Sequence, residues 1–540
     1  MKTKLILALI IIFASFLRLF ALNKIPSGVY LDEASLGYNA YSLIKTGADE
    51  YGKNWPIFFR SFSTFQSPLY TYLTTLPVYL FDLNIFSTRL ISALSGILTI
   101  VFTFYLIYWS KKESMKFALL ATFVLSLCPW AIFMSRAALE ANLALTLIIL
   151  SLAFLILSFR NQAFLIPSSI ILAISTYAYH GERVFSNIFF ILFLLIFKSV
   201  FLKNKKILLL SLIIFFSLQT PQIILSTTQG SLTRLNSQGY LQEESFQKYG
   251  GDYKKITFGR EFFVLKEFSS QYIAFFSPRN LFFDPESQLF RSIPDLSVFY
   301  NWMIIPFLFG IVKLYSQRSE KFSKLLTLVT LVGAIPGALG RDPFYTLRIL
   351  PTLWGLSLII SLGIYSIGEK IKFFYIKIGL SLIILFLSLT SLITSYFILL
   401  KYERSESYGY PFIEISQLSE KMKDTNFIVD TKSYDVPYIL LAFYKKYDPY
   451  LMQRQIPKKI LDNYYTNLTF NRFRQVDNVK VKEIQFGVDT CQDEIIITDI
   501  GTLSDFQVND HKLTLEFKFK DQIGNIILKG YRTHPKAKCN

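Results

Sequence analysis

Much of what soluble enzymes use is scarce in this 540-residue chain: only 17% of the residues are charged, and there are 3 cysteines and 3 histidines. Cys128, Cys491 and Cys539 are too few and too scattered for a disulfide framework or a CxxC metal site. Cys491 and Cys539 could still pair if the tail lies outside the cytoplasm. With no HxxxH or HExxH pattern, His180 reads as a bystander and not as a metal ligand. A P-loop, a GxGxxG after a strand and a GxSxG in a strand-turn-helix context are all missing. Nucleotide-driven chemistry therefore has no seat, and an activated substrate has to arrive through the lipid.

Apolar residues are what the chain has in quantity. It is 52% hydrophobic and 17% aromatic, with a mean hydropathy of +0.39, well away from a soluble globular protein. Apolar runs near 5–22, 86–109, 116–134, 139–158, 163–179, 187–202, 206–226, 299–315, 323–340, 345–367 and 373–400 predict about eleven membrane spans. The first follows Lys2 and Lys4, lacks a small-residue cleavage site, and reads as a retained anchor. Arg18, inside it, is expected to snorkel to the interface or to face the acids beyond. Pro129, Pro167 and Pro351 should kink or end helices.

A net charge of +18 suggests nucleic acid until the basic residues are placed. With a cytoplasmic N-terminus, Lys111, Lys112, Lys116, Arg160, Lys198, Lys203, Lys205, Lys206, Lys313, Arg318, Lys321, Lys324, Lys370 and Lys372 all fall in cytoplasmic connectors. The charge is thus explained by topology, and no nucleic-acid partner is expected. The opposite face receives the 23–85 loop, Pro129–Glu140, Tyr177–Arg183, the 227–298 segment, Arg341–Arg348 and the tail from Lys401. Every stretch mixing acids, arginine, aromatics and proline lies there, so a site is expected on the outer face.

The expected fold is a polytopic α-helical membrane domain over 1–400, with outer loops 23–85 and 227–298, followed by an extracytoplasmic α/β domain over 401–540. In the first loop, Ala34–Ile44 and Phe65–Leu80 read as helices lying in the interface, around a turn-rich Gly47–Arg60. In the long segment, Ser231–Asp252 is polar, and Phe262–Phe276 reads as a surface helix broken by Ser277-Pro278-Arg279-Asn280. In the tail, Asn426–Asp430, Glu494–Thr498, Leu513–Phe519 and Asn525–Gly530 read as strands, and Ile413–Met422 and Pro437–Lys446 as helices. Asn467-Leu468-Thr469 matches a glycosylation acceptor pattern.

Four clusters carry candidate chemistry. Asp32 and Glu33 stand just beyond the first apolar run, where two acids are costly without a use. Asp32 either caps the helix that follows or takes a proton from a hydroxyl. Arg136 and Glu140, four apart, would share a helix face, either as a local ion pair anchoring the helix end or with Arg136 orienting a catalytic acid or binding an anion. Arg183 offers a planar fork suited to phosphate oxygens. Arg348 falls within an expected span and needs an anion there, for which a lipid phosphate is suitable.

These motifs together resemble the lipid-linked-sugar glycosyltransferases of the GT-C membrane fold, specifically the protein O-mannosyltransferase and aminoarabinose-transferase branch (family 39-like). The matching residues are Leu31-Asp32-Glu33-Ala34, Ser67-Pro68-Leu69-Tyr70, Ser135-Arg136 with Leu139-Glu140, and Pro343 with Leu347-Arg348 before Pro351. They run in order over roughly the first 370 residues; the tail is not covered. The resemblance implies an inverting transfer from a polyprenyl-phosphate sugar to an acceptor hydroxyl or amine on the outer face of the cell membrane. It makes Asp32 the general base and Glu33 an acceptor-positioning group. Arg348, with Arg183 or Arg136, would hold the donor phosphate, and Glu140 would orient an arginine or contact a sugar. Some relatives carry a Lys or His before the Pro-Pro-Leu of the first loop, where this chain has Phe65-Gln66-Ser67, and relatives often have a His shortly before the last Arg, where it has Phe344-Tyr345. No residue is therefore assigned to the divalent metal that the outer acids leave room for. The acceptor, whether protein, lipid or glycan, is open.

Two other classes are weighed. A transporter or flippase would set its ionisable residues and broken helices near mid-bilayer, whereas here they gather at one edge. An envelope-polysaccharide polymerase or ligase would share the lipid-linked donor and differ in its acceptor.

Overall fold

Backbone groups surrounded by lipid have to be satisfied within their own segment, and each long apolar run of this chain is helical. The computed structural model describes residues 2–62, 64–110, 115–226, 240–241, 243–342, 344–432, 436–466 and 473–539. Lys111, Lys112, most of the polar stretch up to residue 239, Pro343 and the Asn467-Leu468-Thr469 pattern lie outside them. Contacts divide the chain into two compact units. One joins Met1–Phe20, Gln66–Tyr70 and Ile91–Tyr396; the other joins Ala21–Phe65, Thr71–Leu90 and Phe397–Asn540.

The first unit is helical. Among the described residues of the whole chain, 6 helices are long and apolar enough to cross a membrane, or up to 7 if the bent pair Met115–Leu127 and Pro129–Arg136 is one span. By length and composition this is fewer than the about eleven expected from apolar runs, because several runs are filled by shorter helices such as Gln162–Ser175 and Asn301–Ser316. Pro129 breaks its span with a bend of 59°. Pro167 and Pro351 lie in the first turns of Leu165–Ser175 and Leu350–Lys370, where a missing N–H costs nothing.

Leu350–Lys370 is deeply enclosed, buried from Leu350 to Gly363. It packs against Ile304–Ser316, where a Cβ on Gly310 would fall 1.9 Å from the Ile359 carbonyl oxygen and one on Gly363 1.7 Å from that of Pro306. Only residues without side chains let these backbones meet. Lys198–Leu225 and Phe374–Glu403 are by contrast only 22% buried over their apolar windows, the exposure expected of lipid-facing helices. Arg18 does not snorkel: it is buried, and Nη1 donates to the carbonyls of Ala14 and Ser126. Gly259–Ala274 is the expected surface helix, and Pro278 starts the next turn.

The second unit holds a mixed six-stranded sheet. Numbered after the short pair β1 (Phe59–Ser61) and β2 (Thr64–Gln66) of the first loop, its strands are β3 (Asn426–Asp430), β4 (Arg474–Val476), β5 (Val479–Lys482), β6 (Glu494–Asp499), β7 (Thr514–Lys520) and β8 (Ile526–Arg532), in the order β4-β5-β3-β6-β8-β7. β3 runs parallel to both β5 and β6, and the outer pairs are antiparallel. Phe427, Val429, Ile495 and Ile497 face a large core, while Ile428 and Ile496 face a smaller one with Leu503, Leu513 and Tyr531. Both faces are covered, which explains the unbroken apolar runs of β3 and β6. β4 and β5 were not expected from the sequence.

Leu31–Thr46, expected as an interfacial helix, is instead a core element. Ala34, Tyr38 and Ala40 pack with Tyr438, Ile439 and Phe443 of the Tyr438–Tyr444 helix. Its helical apolar spacing is the same whether the covering partner is lipid or protein, so the sequence could not distinguish them. Cys491 and Cys539 form a disulfide with Cα atoms 5.7 Å apart, and Cys128 is free and buried.

Candidate functional site

In the second unit, the first turn of Leu31–Thr46 carries the paired acids in two very different settings. Glu33 is buried and held by Arg89: Nε lies 2.8 Å from Oε1, and Nη2 donates to Oε2 at 2.9 Å. Arg89 also donates to the carbonyls of Leu22, Pro26 and Gly28 at 3.2, 3.0 and 2.7 Å. The Glu33 carboxylate accepts the Tyr30 N–H as well, at 3.0 Å, closing the helix start. The helix N-terminus thus belongs to Glu33, while the neighbouring Asp32 side is solvent-exposed. A carboxylate on the exposed side of a clamped first turn is within reach of solvent and chemically able to accept a proton.

The same unit buries a second acidic pair that sequence reasoning missed. Asp49 accepts hydrogen bonds from the Tyr51 and Lys53 N–H groups and the Tyr464 hydroxyl. Glu50 accepts from Asn39 Nδ2 at 3.2 Å and the Tyr438 hydroxyl at 2.9 Å. Burial pulls the Asp49 carboxyl up to about 6, against its hydrogen bonds. It pulls Glu50 up to about 7; Tyr438 opposes this, the Asp49 charge adds to it, and Arg474 counteracts it. Arg474 and Arg60 lie over the Tyr51 ring, 5.9 and 5.3 Å from its centroid. In the sequence, Asp49 and Glu50 stand in a turn-rich stretch and are indistinguishable from a solvated turn.

The other candidates lie in the first unit. Arg136 and Glu140 do not share a helix: Arg136 ends Pro129–Arg136, extended backbone at Ala137 follows, and Glu140 begins Glu140–Ser158. Their four-residue spacing spans a break, so the two residues do not share one helix face. Arg136 is buried, donates to the Leu17 carbonyl at 2.9 Å and lies over the Tyr396 ring. Arg183 stands half-buried in the first turn of Glu182–Ile196, beside the buried Glu182, whose carboxyl burial raises to about 8.

Arg348 is in a short 3-10 turn, Thr346–Arg348, that precedes the Leu350–Lys370 helix. It is 9% exposed, with its guanidinium 4.4 Å from the centre of the Tyr345 ring. Two residues not singled out from the sequence surround it. Arg291 lies over the same ring at 3.5 Å. Its Nε is 2.6 Å from Glu286 Oε1, and the other Glu286 oxygen accepts the Thr346 hydroxyl. Burial raises the Glu286 carboxyl to about 7, against the pull of Arg291 and Thr346. Among the described residues no group of three or more His, Cys, Asp or Glu comes together as a metal site.

Comparison with protein-family models gives no match, and none of the curated proteins matches. Solved structures do match. ArnT from Cupriavidus metallidurans in the apo state superposes with a TM-score of 0.57 at 10% identity, over 99% of this chain and 98% of that one. The same protein bound to undecaprenyl phosphate gives 0.54 at 10% identity, with 97% of each chain covered. The apo oligosaccharyltransferase of Archaeoglobus fulgidus gives 0.50 at 12%, over 92% of this chain and 69% of that one. Both proteins have the GT-C fold, and so does this chain, over nearly its whole length.

Proposed function

We propose that this protein is a membrane glycosyltransferase that moves a sugar from a polyprenyl-phosphate donor to an acceptor hydroxyl on the outer face of the cell membrane. The observation that carries the reading is the exposed Asp32 on a first turn clamped by Glu33 and Arg89, in a chain with the fold of ArnT, a protein solved with undecaprenyl phosphate bound. The lipid-facing helices support a donor that stays in the bilayer.

Asp32 takes the acceptor's proton as its oxygen attacks the anomeric carbon; the bond from that carbon to the phosphate oxygen breaks, and its electron pair leaves with the polyprenyl phosphate. The single displacement inverts the anomeric centre. Glu33, held by Arg89, helps to position the acceptor by fixing the turn that presents Asp32. Arg348 binds the donor phosphate and stabilises the charge that grows on it, with Arg183 or Arg136 assisting; Glu140 contacts a sugar or an arginine. The domain over 401–540 lies outside the cytoplasm, in keeping with its disulfide.

The test is sugar transfer from a panel of polyprenyl-phosphate sugars by the purified protein in lipid, wild type beside Asp32→Asn. The substitution keeps shape and removes the base, so transfer should fall by about a hundredfold or more. Wild-type turnover matched by Asp32→Asn would remove Asp32 from catalysis. Consumption of no donor, together with flux of lipid-linked substrate across vesicles, would favour a transporter.

A further inference from the structure

Arg348 does not stand alone over Tyr345. The Arg291 guanidinium carbon is 3.5 Å from the centre of that ring and the Arg348 carbon 4.4 Å, so one phenol serves two cations. The like charges are tolerable because one is neutralised: the Arg291 and Glu286 side chains are each 3% exposed and in direct contact. Glu286 also accepts the hydroxyl of Thr346, the residue next to Tyr345, so it is tied to both the ring's cation and the ring's backbone. Gly340 completes the setting. A Cβ there would fall 1.9 Å from Arg348 Nη1, so the guanidinium lies directly against the Gly340 backbone.

Arg291 and Glu286 border a cavity of about 20 Å³ with Trp130, Phe133 and Thr346, room for a single water and none for a sugar or a phosphate. Both bear on the turn that carries Arg348, Arg291 through the Tyr345 ring and Glu286 through Arg291 and Thr346. We infer that Glu286, Arg291 and Tyr345 are positioning residues that set the Arg348 guanidinium for a polyprenyl phosphate; this rests on the role of Arg348 proposed above. The ring fixes where the cation lies, and the Glu286–Arg291 pair fixes the ring.

The experiment measures affinity for undecaprenyl phosphate on the full chain in lipid nanodiscs, with the Tm of every variant recorded. Arg348→Gln should weaken binding by about tenfold or more. Tyr345→Leu should do the same, the scale of a desolvated cation–π contact, while Tyr345→Phe keeps the ring and restores most of the affinity. Because Tyr345 acts through Arg348, the double variant Tyr345→Leu/Arg348→Gln should bind no more weakly than Arg348→Gln. Glu286→Gln/Arg291→Gln removes both charges together, avoids a stranded buried ion, and should reproduce Tyr345→Leu. In turnover, Tyr345→Leu should raise KM for the donor and lower kcat as well, because the displaced Arg348 also bears on the charge that grows on the phosphate. The inference is overturned if Arg348→Gln weakens binding while Tyr345→Leu binds as wild type, or if the two losses add in the double variant. Arg348→Gln binding as wild type overturns the phosphate role of Arg348 itself, and the relay with it.

Discussion

Arg89 is the residue on which the start of the Leu31–Thr46 helix depends, and Arg89→Met tests this directly. The guanidinium holds both Glu33 oxygens and the carbonyls of Leu22, Pro26 and Gly28. Methionine fills much of the volume and leaves Glu33 as a buried, uncompensated charge, which costs about 3–5 kcal/mol. For a unit of roughly 200 residues each kcal/mol moves Tm by about 2–4 °C, so a fall of about 6–20 °C is expected. Adding Glu33→Leu removes the stranded charge and should recover most of that loss, leaving about 1 kcal/mol for the Tyr30 N–H that Glu33 no longer accepts. Thermal unfolding of the two single variants and the double variant in one lipid preparation closes the cycle. A single-variant shift under about 2 °C, or losses that simply add, would refute the argument that this pair locks the helix start.

Three further expectations follow from the second unit. Asp49 and Glu50 are raised to about 6 and about 7 by burial, above carboxylates of an unfolded chain near 4. The folded form therefore keeps protons that the unfolded form has lost, and this stabilisation is full below about pH 4 and vanishes as pH rises through 6 and 7. Unfolding should begin at lower temperature at pH 8 than at pH 5.5, and Glu50→Gln should flatten that dependence. Gly28 has φ of 90°, and a Cβ there would meet the Tyr408 carbonyl oxygen at 2.2 Å. Gly28→Ala should cost several kcal/mol, on the order of strain and overpacking combined, read as lost expression of folded protein. Cys491→Ser opens the disulfide, which spans 48 residues of sequence, and should cost about 2–4 kcal/mol, seen as a lower Tm that reducing agent does not lower further.

The helices of the first unit were legible because apolar runs of this length have few alternatives, and the strands of the tail because β-branched triplets such as Ile495-Ile496-Ile497 fit a sheet covered on both sides. β4 and β5 were not, since Arg474–Val476 and Val479–Lys482 are short and carry lysine and arginine. Arg136 and Glu140 show how spacing misleads: four residues apart means one helix face only if the helix continues, and here it stops at Arg136. Glu286 and Arg291 carried no signal, because a buried ion pair and a solvated one read alike until their neighbours are known. Asp32 and Glu33 were visible as a pair, but their division into one clamped acid and one exposed acid depends on Arg89, 56 positions from Glu33.

The second unit takes its pieces from both ends of the chain, Ala21–Leu90 with a break and Phe397–Asn540, with most of the other unit encoded between them. A ribosome reaches the tail only after roughly 300 further residues, about 15–60 s at ordinary elongation rates. Through that interval Asp49 and Glu50 lack Tyr464 and Tyr438, and Tyr38 lacks Tyr447. The opening segment must wait, wet and without these partners, for the tail to emerge, so a nascent chain cut short before residue 397 lacks the hydroxyls that Asp49 and Glu50 meet in the folded unit.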